Sequence, residues 1–186
     1  LLVSLPHNGS EIPDDILSTL KPFAHGAPDT DWFVDRLYAF AMDLGATVLK
    51  PRYSRYVIDL NRPPNDVSLY PGQNSTGLCP LTAFTGEPIY QDGRQPDQHA
   101  IVHRRAQYWQ PYHAALCAEL DALLSRHGSV VLWDAHSIRS HVPRLFAGDL
   151  PVFNLGTNDG RSCDEDLAAR LLGYALGIPG CTAVLD

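Results

Sequence analysis

Two histidines and one aspartate are the first candidates for chemistry, because each lies next to a predicted strand or helix. His7 follows a short apolar run of strand length, His136 follows a second one, and Asp31 begins a predicted helix. Two imidazoles and a carboxylate form a catalytic zinc set that leaves a fourth position for water. Each residue alone has an ordinary explanation, because loop histidines form hydrogen bonds and an aspartate stabilises a helix start. From spacing alone, a metal site and ordinary structural roles are equally open.

The segment 52–62 is the second candidate, because arginines alternate there with polar and apolar residues. As a strand, it places Arg55, Asp59 and Asn61 on one side. One interpretation is a solvent-facing edge strand in which Arg55 pairs with Asp59. The other is that Arg55 and Arg62 bind an anionic substrate, which Asn61 orients. The second is modestly favoured, since 12 of the 14 basic residues are arginines, which suit carboxylate recognition.

Other candidates for chemistry are weaker. His99 and His103 are four residues apart and could share a helix face, but no third ligand is near them in the sequence. A solvated helix face is therefore favoured for this pair. Ser137 follows His136 without a G-x-S-x-G nucleophile motif, and the glycines of 156–160 lack the dinucleotide-binding spacing.

Alternating strand and helix patterns must position these residues. Strands are predicted over 1–5, 47–49, 56–60, 129–134, 152–155 and 182–185, and helices over 31–44, 100–127 and 164–176. Gly45 and Gly128 are expected to end the first two helices, and Pro111 to kink or divide the second. This order predicts an α/β fold with a mixed, mostly parallel sheet and helices on both faces. The site is expected at the carboxyl ends of the strands.

The segment 61–97 differs from the rest of the chain. Its 37 residues include six prolines and four glycines, too many for a continuous helix or a central strand. We interpret it as a loop insertion that covers the site. For the whole length of 186 residues we expect a single α/β hydrolase domain over 1–186. Because the sequence starts and stops inside apolar runs and has no initiator Met, we expect it to be part of a longer protein.

Charge and composition narrow the classes of partner. The net charge of −7 disfavours binding to nucleic acid or to anionic membranes, and no apolar run approaches the length of a membrane span. The four cysteines are widely spaced and are predicted to be reduced thiols: Cys79, Cys117, Cys163 and Cys181. We therefore expect a cytoplasmic protein with no nucleic-acid or membrane partner. The sequence leaves the oligomeric state open.

Six segments, taken together and in order, resemble the N-formylglutamate amidohydrolases, or deformylases, of histidine catabolism. These segments are 6–9, 29–32, 53–62, 111–113, 134–140 and 154–157. The resemblance spans nearly the whole chain. It implies an α/β fold related to the zinc carboxypeptidases and aspartoacylases. It also implies a metal-dependent hydrolase that cleaves N-formyl-L-glutamate to formate and L-glutamate, so the expected partner is a small anionic N-acyl amino acid.

The resemblance also implies roles for single residues. Zn²⁺ or another divalent metal is expected on three ligands: His7, Asp31 and His136. Arg55 is implied as the group that polarises the carbonyl and stabilises the oxyanion. Asn61 and Arg62 are implied as binding a substrate carboxylate, with Arg139 as a further candidate for this role.

The general base is the part that the resemblance places elsewhere. Relatives keep a catalytic glutamate on a late, closing strand. The resemblance therefore implies that the domain over 1–186 lacks its C-terminal closing part and that this glutamate lies beyond Asp186. Glu11 has the wrong spacing from His7 for an H-x-x-E pair and is not a convincing substitute. Two alternatives remain open: a hydrolase of another N-acyl amino acid on the same fold, and a non-catalytic relative that binds carboxylates.

Overall fold

The fold is that of a computed structural model, which describes residues 1–67, 76–144 and 146–185. The chain divides into two compact units, Leu1–Ile138 and Arg139–Asp186. Part of the predicted insertion, residues 68–75, lies outside the described residues. The single domain expected over 1–186 stays a prediction.

The described residues form two small parallel sheets, one in each unit. The strands are β1 (Leu2–Ser4), β2 (Thr47–Leu49), β3 (Leu132–Asp134), β4 (Phe153–Leu155) and β5 (Ala183–Leu185). The helices are α1 (Asp14–Leu17), α2 (Val34–Leu37), α3 (Phe40–Asp43), α4 (Gln98–Arg104), α5 (Gln110–His127) and α6 (Glu165–Leu176), with a 3-10 turn at Pro22–Gly26. In the first unit, β1 lies between β2 and β3 and is parallel to both. The predicted α/β class with a parallel sheet is confirmed.

Both sides of β1 pack against helices. Val3 and Leu5 point to one side, where they form a buried cluster with Val34 of α2 and Ala41 of α3. Ser4 points to the other side, because successive side chains of a strand alternate. Its hydroxyl lies 2.9 Å from the hydroxyl of Tyr112 on α5. This apolar and polar anchoring on opposite sides fixes the strand that leads to His7.

The helix predicted over 31–44 is wrong, because two short helices, α2 and α3, take its place. Phe33 has a left-handed backbone with φ of 64°, so a helix cannot continue through it. Asp31 consequently lies in a loop before α2 rather than in a first helical turn. Gly45, with φ of 76°, follows α3 in the left-handed conformation expected of a residue that ends a helix.

The strand predicted over 56–60 is also wrong, because the backbone there turns. Arg55 and Asp59 form a buried ion pair with 2.6 Å between Nη2 and Oδ2. A strand would hold residues four apart at about 13 Å, so this pair requires a folded segment. The one-sided arrangement inferred from alternation therefore does not apply. The strand before His136 is only partly buried in spite of its apolar sequence, since Leu132 of β3 is 42% exposed.

A nearly continuous helical run spans α4 and α5, as the sequence pattern indicates. Between them, Arg105–Trp109 is π-helical, and this wider stretch comes just before Pro111. Proline lacks the N–H group of a regular helical bond, and its ring clashes with the carbonyl four residues earlier. The π-helical turns relieve this conflict without ending the helix. The run ends at Gly128, whose φ is 73°.

The second unit pairs β4 with β5 in parallel and contains α6. Asp164 caps α6, since its carboxylate accepts a hydrogen bond of 3.1 Å from the backbone N–H of Leu167. Among the described residues, no helix has the length and apolar character that crossing a membrane requires. All four cysteines are free, as predicted.

Gly9 lies where the backbone after His7 passes the backbone of Tyr53. A Cβ at Gly9 would lie 2.2 Å from the carbonyl oxygen of Tyr53. We expect Gly9→Ala to lower the free energy of unfolding by about 1–3 kcal/mol or more, because two backbone segments must separate. Denaturant unfolding measures this change. The control is Gly26→Ala, whose Cβ meets no atom within 4 Å. Equal stability of the two variants would contradict the close approach.

Candidate metal centre

Parallel pairing of β1 and β3 brings His7 and His136 together. Each histidine follows its strand, and neighbouring parallel strands end at the same edge of a sheet. The two imidazole centroids are 4.8 Å apart. Asp31 joins them because its backbone N–H donates to the carbonyl of His7 at 3.0 Å. One ligand atom from each of these three residues lies within 4.8 Å of the others, the only such group found among the described residues.

The donor atoms of this group suit a divalent metal. Oδ2 of Asp31 lies 3.2 Å from Nδ1 of His136 and 4.0 Å from Nδ1 of His7. The other ring nitrogen of each histidine faces a second carboxylate, at 2.7 Å for Asp59 and 3.1 Å for Asp134. A carboxylate oxygen accepts hydrogen bonds and does not donate them, so Nε2 is the N–H donor in both rings. Nδ1 of each ring is directed at Asp31. Imidazoles oriented by carboxylates in this way are typical of metal sites.

The two histidines differ in their proton affinity. Burial lowers the pKa of His7, and the nearby charge of Arg55 lowers it further against the opposing effect of Asp59. Burial also lowers the pKa of His136, but hydrogen bonds to Asp134 and Asp31 outweigh it and raise the pKa to about 9. His7 is therefore neutral near pH 7, and a metal would replace the Nδ1 proton of His136.

Asp59 connects the candidate metal ligands to Arg55. Its side chain is fully buried, and Oδ1 accepts hydrogen bonds from Nε2 of His7 at 2.7 Å and from the backbone N–H of Asn61 at 2.9 Å. Oδ2 accepts from Arg55 at 2.6 Å. Burial raises the pKa of Asp59, but the charge of Arg55 and the hydrogen bond from His7 outweigh it and hold the pKa well below its usual range. Asp59 is therefore an anion that fixes two side chains of the site.

Arg55, the predicted oxyanion-stabilising residue, lies beside the group. Its Nη1 is 3.4 Å from Nδ1 of His7, and the residue is 5% exposed. Asn61, a predicted substrate-binding residue, also reaches the group, since its Nδ2 lies 3.1 Å from Nε2 of His136. The geometry thus places one cation and one amide next to the candidate ligands.

The remaining sequence candidates lie in other surroundings. The guanidinium of Arg62 donates to the carbonyl and hydroxyl oxygens of Thr76 and to the carbonyl of Asn61. Arg139 begins the second unit. The roles of Arg62 and Arg139 in binding substrate stay predictions. Glu11 pairs with Arg52 on the surface at 2.6 Å.

His99 and His103, the pair that the sequence analysis sets aside as ligands, lie on α4 and are not members of the metal-ligating group. Sequence reasoning missed the supporting carboxylates Asp59 and Asp134. A signal was available for Asp134, because it precedes His136 by two residues at the end of the same strand. For Asp59 the sequence offered only its position in the polar segment 52–62, which does not relate it to His7.

The fold and the site together define a class. Parallel strands of an α/β unit bring two histidines, each hydrogen-bonded to a carboxylate, close to an aspartate and a buried arginine. These side chains are the groups that a metal-dependent hydrolase uses. The chain belongs to the N-formylglutamate amidohydrolase family, whose sequence model matches residues 1–185.

Individual relatives support this assignment. The chain is 50% identical over 186 residues to the N-formylglutamate deformylase of Pseudomonas putida, covering all of this chain and 69% of that protein. Identity to the Pseudomonas aeruginosa enzyme of the same name is 48%, with 70% of that protein covered.

Among solved structures, an N-formylglutamate amidohydrolase from Ralstonia eutropha JMP134 has a TM-score of 0.79 at 25% identity, with all of this chain and 71% of that chain covered. A gene product from Agrobacterium tumefaciens, with a TM-score of 0.68 at 20% identity and 68% of that chain covered, shares the fold.

Asp59→Asn tests the buried carboxylate at the centre of the site. We expect the free energy of unfolding to fall by about 3–5 kcal/mol, because the charge of Arg55 loses its partner in a buried place. Metal affinity should fall about 10–100-fold, because His7 loses the acceptor that orients it. Denaturant unfolding and competition with a chelator measure the two effects. Glu11→Gln, which removes a surface ion pair, is the control, and similar losses in both variants would argue against the central position of Asp59.

Proposed function

We propose that this protein hydrolyses N-formyl-L-glutamate to formate and L-glutamate in a metal-dependent reaction. The observation that carries the proposal is the convergence of His7, Asp31 and His136 next to Arg55. Its chemistry agrees with that of the Pseudomonas putida relative, an N-formylglutamate deformylase. The proposal includes the finer architecture that the sequence suggests, a mixed sheet like that of the zinc carboxypeptidases.

Zinc, or another divalent cation, is the proposed cofactor. The ligands would be His7, Asp31 and His136, with Asp59 and Asp134 holding the two imidazole rings in their donor orientation. When bound, such an ion supplies Lewis acidity, which polarises a carbonyl and lowers the pKa of water. Two nitrogens and one oxygen match the ligand types of catalytic zinc sites.

The remaining steps are assigned to side chains of the chain itself. Arg55 donates N–H groups to the formyl oxygen, where negative charge develops as water adds to the carbon. Because Arg55 is already held by Asp59, little reorganisation is needed when this charge appears. The general base is the glutamate expected beyond Asp186, which would carry the proton to the leaving amine.

Asn61, Arg62 and Arg139 are proposed to bind the two carboxylates of the substrate. For Arg62, this requires its guanidinium to exchange the oxygens of Thr76 for a substrate carboxylate. Thr76 belongs to the Pro/Gly-rich insertion, so substrate binding and the position of that insertion would be linked. We also propose a cytoplasmic protein without nucleic-acid or membrane partners, in keeping with its net charge of −7 and free cysteines.

Metal binding is tested by His136→Ala. We expect the full-length parent protein to retain about one zinc ion after dialysis and the variant to lose both zinc and hydrolysis, because two ligands hold zinc poorly. Elemental analysis and formate release measure the two properties. The matched control is the double variant His99→Gln with His103→Gln, which should keep zinc content and activity within a few-fold. Full occupancy in His136→Ala would remove this histidine from the ligand set.

Arg62→Ala tests the identity of the substrate. If Arg62 binds a carboxylate, its loss costs about 2–5 kcal/mol, or roughly 30-fold to several thousand-fold in kcat/KM. The parent should discriminate strongly against both mono-amides of N-formylglutamate, and the variant should lose discrimination at one of them.

Arg105→Ala is the control for Arg62→Ala, because Arg105 also donates to a backbone carbonyl of the insertion, that of Pro64. It should leave discrimination between the acid and its mono-amides unchanged. Undiminished discrimination at both amides in Arg62→Ala would assign Arg62 a structural role. A parent that prefers N-acetyl or N-succinyl amino acids over N-formylglutamate would instead favour another hydrolase of the same fold.

A further inference from the structure

The aromatic ring of Phe84 lies against the face of the Arg55 guanidinium. The distance from Cζ of Arg55 to the ring centroid is 4.7 Å. Phe84 lies in the Pro/Gly-rich segment, on a turn closed by a hydrogen bond of 2.9 Å from the N–H of Gly86 to the carbonyl of Ala83. Gly86 has φ of 93°, which a side chain would disfavour. Phe84 is not a member of the candidate ligand group, and none of the proposed substrate contacts involves it.

The guanidinium of Arg55 is held in only two directions by hydrogen bonds. Its Nη2 donates to Asp59, and its Nη1 faces His7. A guanidinium has five N–H donors, so the other donors of Arg55 have no partner among the residues that the structure describes. Hydrogen bonds at one edge leave the plane free to rotate about that edge. The ring of Phe84 restricts this rotation, because it covers one face of the plane.

A single carboxylate anchors the turn that carries Phe84. The backbone N–H of Phe84 donates to Oδ2 of Asp29 at 2.9 Å, and the hydroxyl of Tyr56 donates to the same oxygen at 2.8 Å. Tyr56 is the neighbour of Arg55, and Asp29 is two residues before the candidate ligand Asp31. The turn is thus attached to both segments that supply the site, so the ring of Phe84 keeps a fixed position relative to Arg55.

We propose that Phe84 is a positioning residue, which holds the Arg55 guanidinium by a cation–π contact so that its free N–H groups are directed at the substrate carbonyl. The attraction of a cation to an aromatic face is strongest where water is excluded, and Arg55 is 5% exposed. An aliphatic side chain of similar size would exclude water but would lack this attraction. The inference rests on the proposed function, because the carbonyl is that of the N-formyl group.

The kinetic test compares Phe84→Tyr, Phe84→Leu and Phe84→Ala in the metal-loaded protein. We expect Phe84→Leu and Phe84→Ala to lower kcat at least about tenfold with KM within about threefold, because Arg55 acts where charge develops. Phe84→Tyr keeps the aromatic face and should retain kcat within about threefold of the parent. Zinc content should be the same in all four proteins. Parent-like kcat in Phe84→Leu would overturn the proposal.

A second measurement does not depend on activity. Phenylglyoxal modifies free guanidinium groups, and mass spectrometry of the peptide that contains Arg55 gives the rate for this residue. We expect Phe84→Leu to react at least about fivefold faster than the parent and Phe84→Tyr to react like the parent, because leucine lacks the aromatic face that restricts rotation of the guanidinium. Equal modification rates in the parent and Phe84→Leu would overturn the proposal that Phe84 restrains the Arg55 guanidinium. Phe23→Ala, which removes a partly exposed phenylalanine elsewhere, is the control and should change neither rate nor kcat.

The two measurements separate this inference from the proposed function. A parent that fails to release formate from N-formylglutamate would refute the function, while the modification rates would still report on the contact between Phe84 and Arg55. An active parent with unchanged kcat and modification rate in Phe84→Leu would refute only the role of Phe84. Thermal unfolding of each variant shows whether a loss of kcat reflects a loss of folded protein.

Discussion

The buried charge of Asp59 is the constraint on which the candidate site depends. A carboxylate without solvent needs partners for both oxygens, and here the partners are a histidine, an arginine and a backbone N–H. Satisfying that charge fixes the ring of His7 and the guanidinium of Arg55 at the same time. The orientation of a candidate metal ligand and the position of the buried arginine are therefore two results of one electrostatic requirement.

The strand ends were predictable from the sequence because their signals are local. Short apolar runs predict β1, β2 and β3, and the rule for parallel sheets places His7 and His136 at one edge. The left-handed glycine after α5 and the aspartate that caps α6 are equally local features. These elements depend on residues that are close in sequence, so the sequence alone was sufficient to predict them.

The connections between strands were not predictable in this way. The segment 56–60 has the composition of a strand, but its shape is set by Asp59, whose partners include His7 from 52 residues earlier. The helix predicted over 31–44 begins only at Val34, because Asp31 lies in a loop whose backbone N–H donates to the carbonyl of His7. Both departures follow from contacts distant in sequence, which alternation and helical periodicity do not contain. Phe84 is a further case, since no sequence pattern relates it to Arg55.

The separation of His7 and His136 matches the backbone spacing of the sheet that carries them. Neighbouring strands lie about 4.7–4.9 Å apart, and the two imidazole centroids are 4.8 Å apart. The two histidines follow neighbouring strands, so the ladder of peptide hydrogen bonds between β1 and β3 brings the two imidazoles to one edge of the sheet. Because backbone groups make this pairing, substitutions in the surrounding loops can alter the contacts to a substrate without separating the two imidazoles.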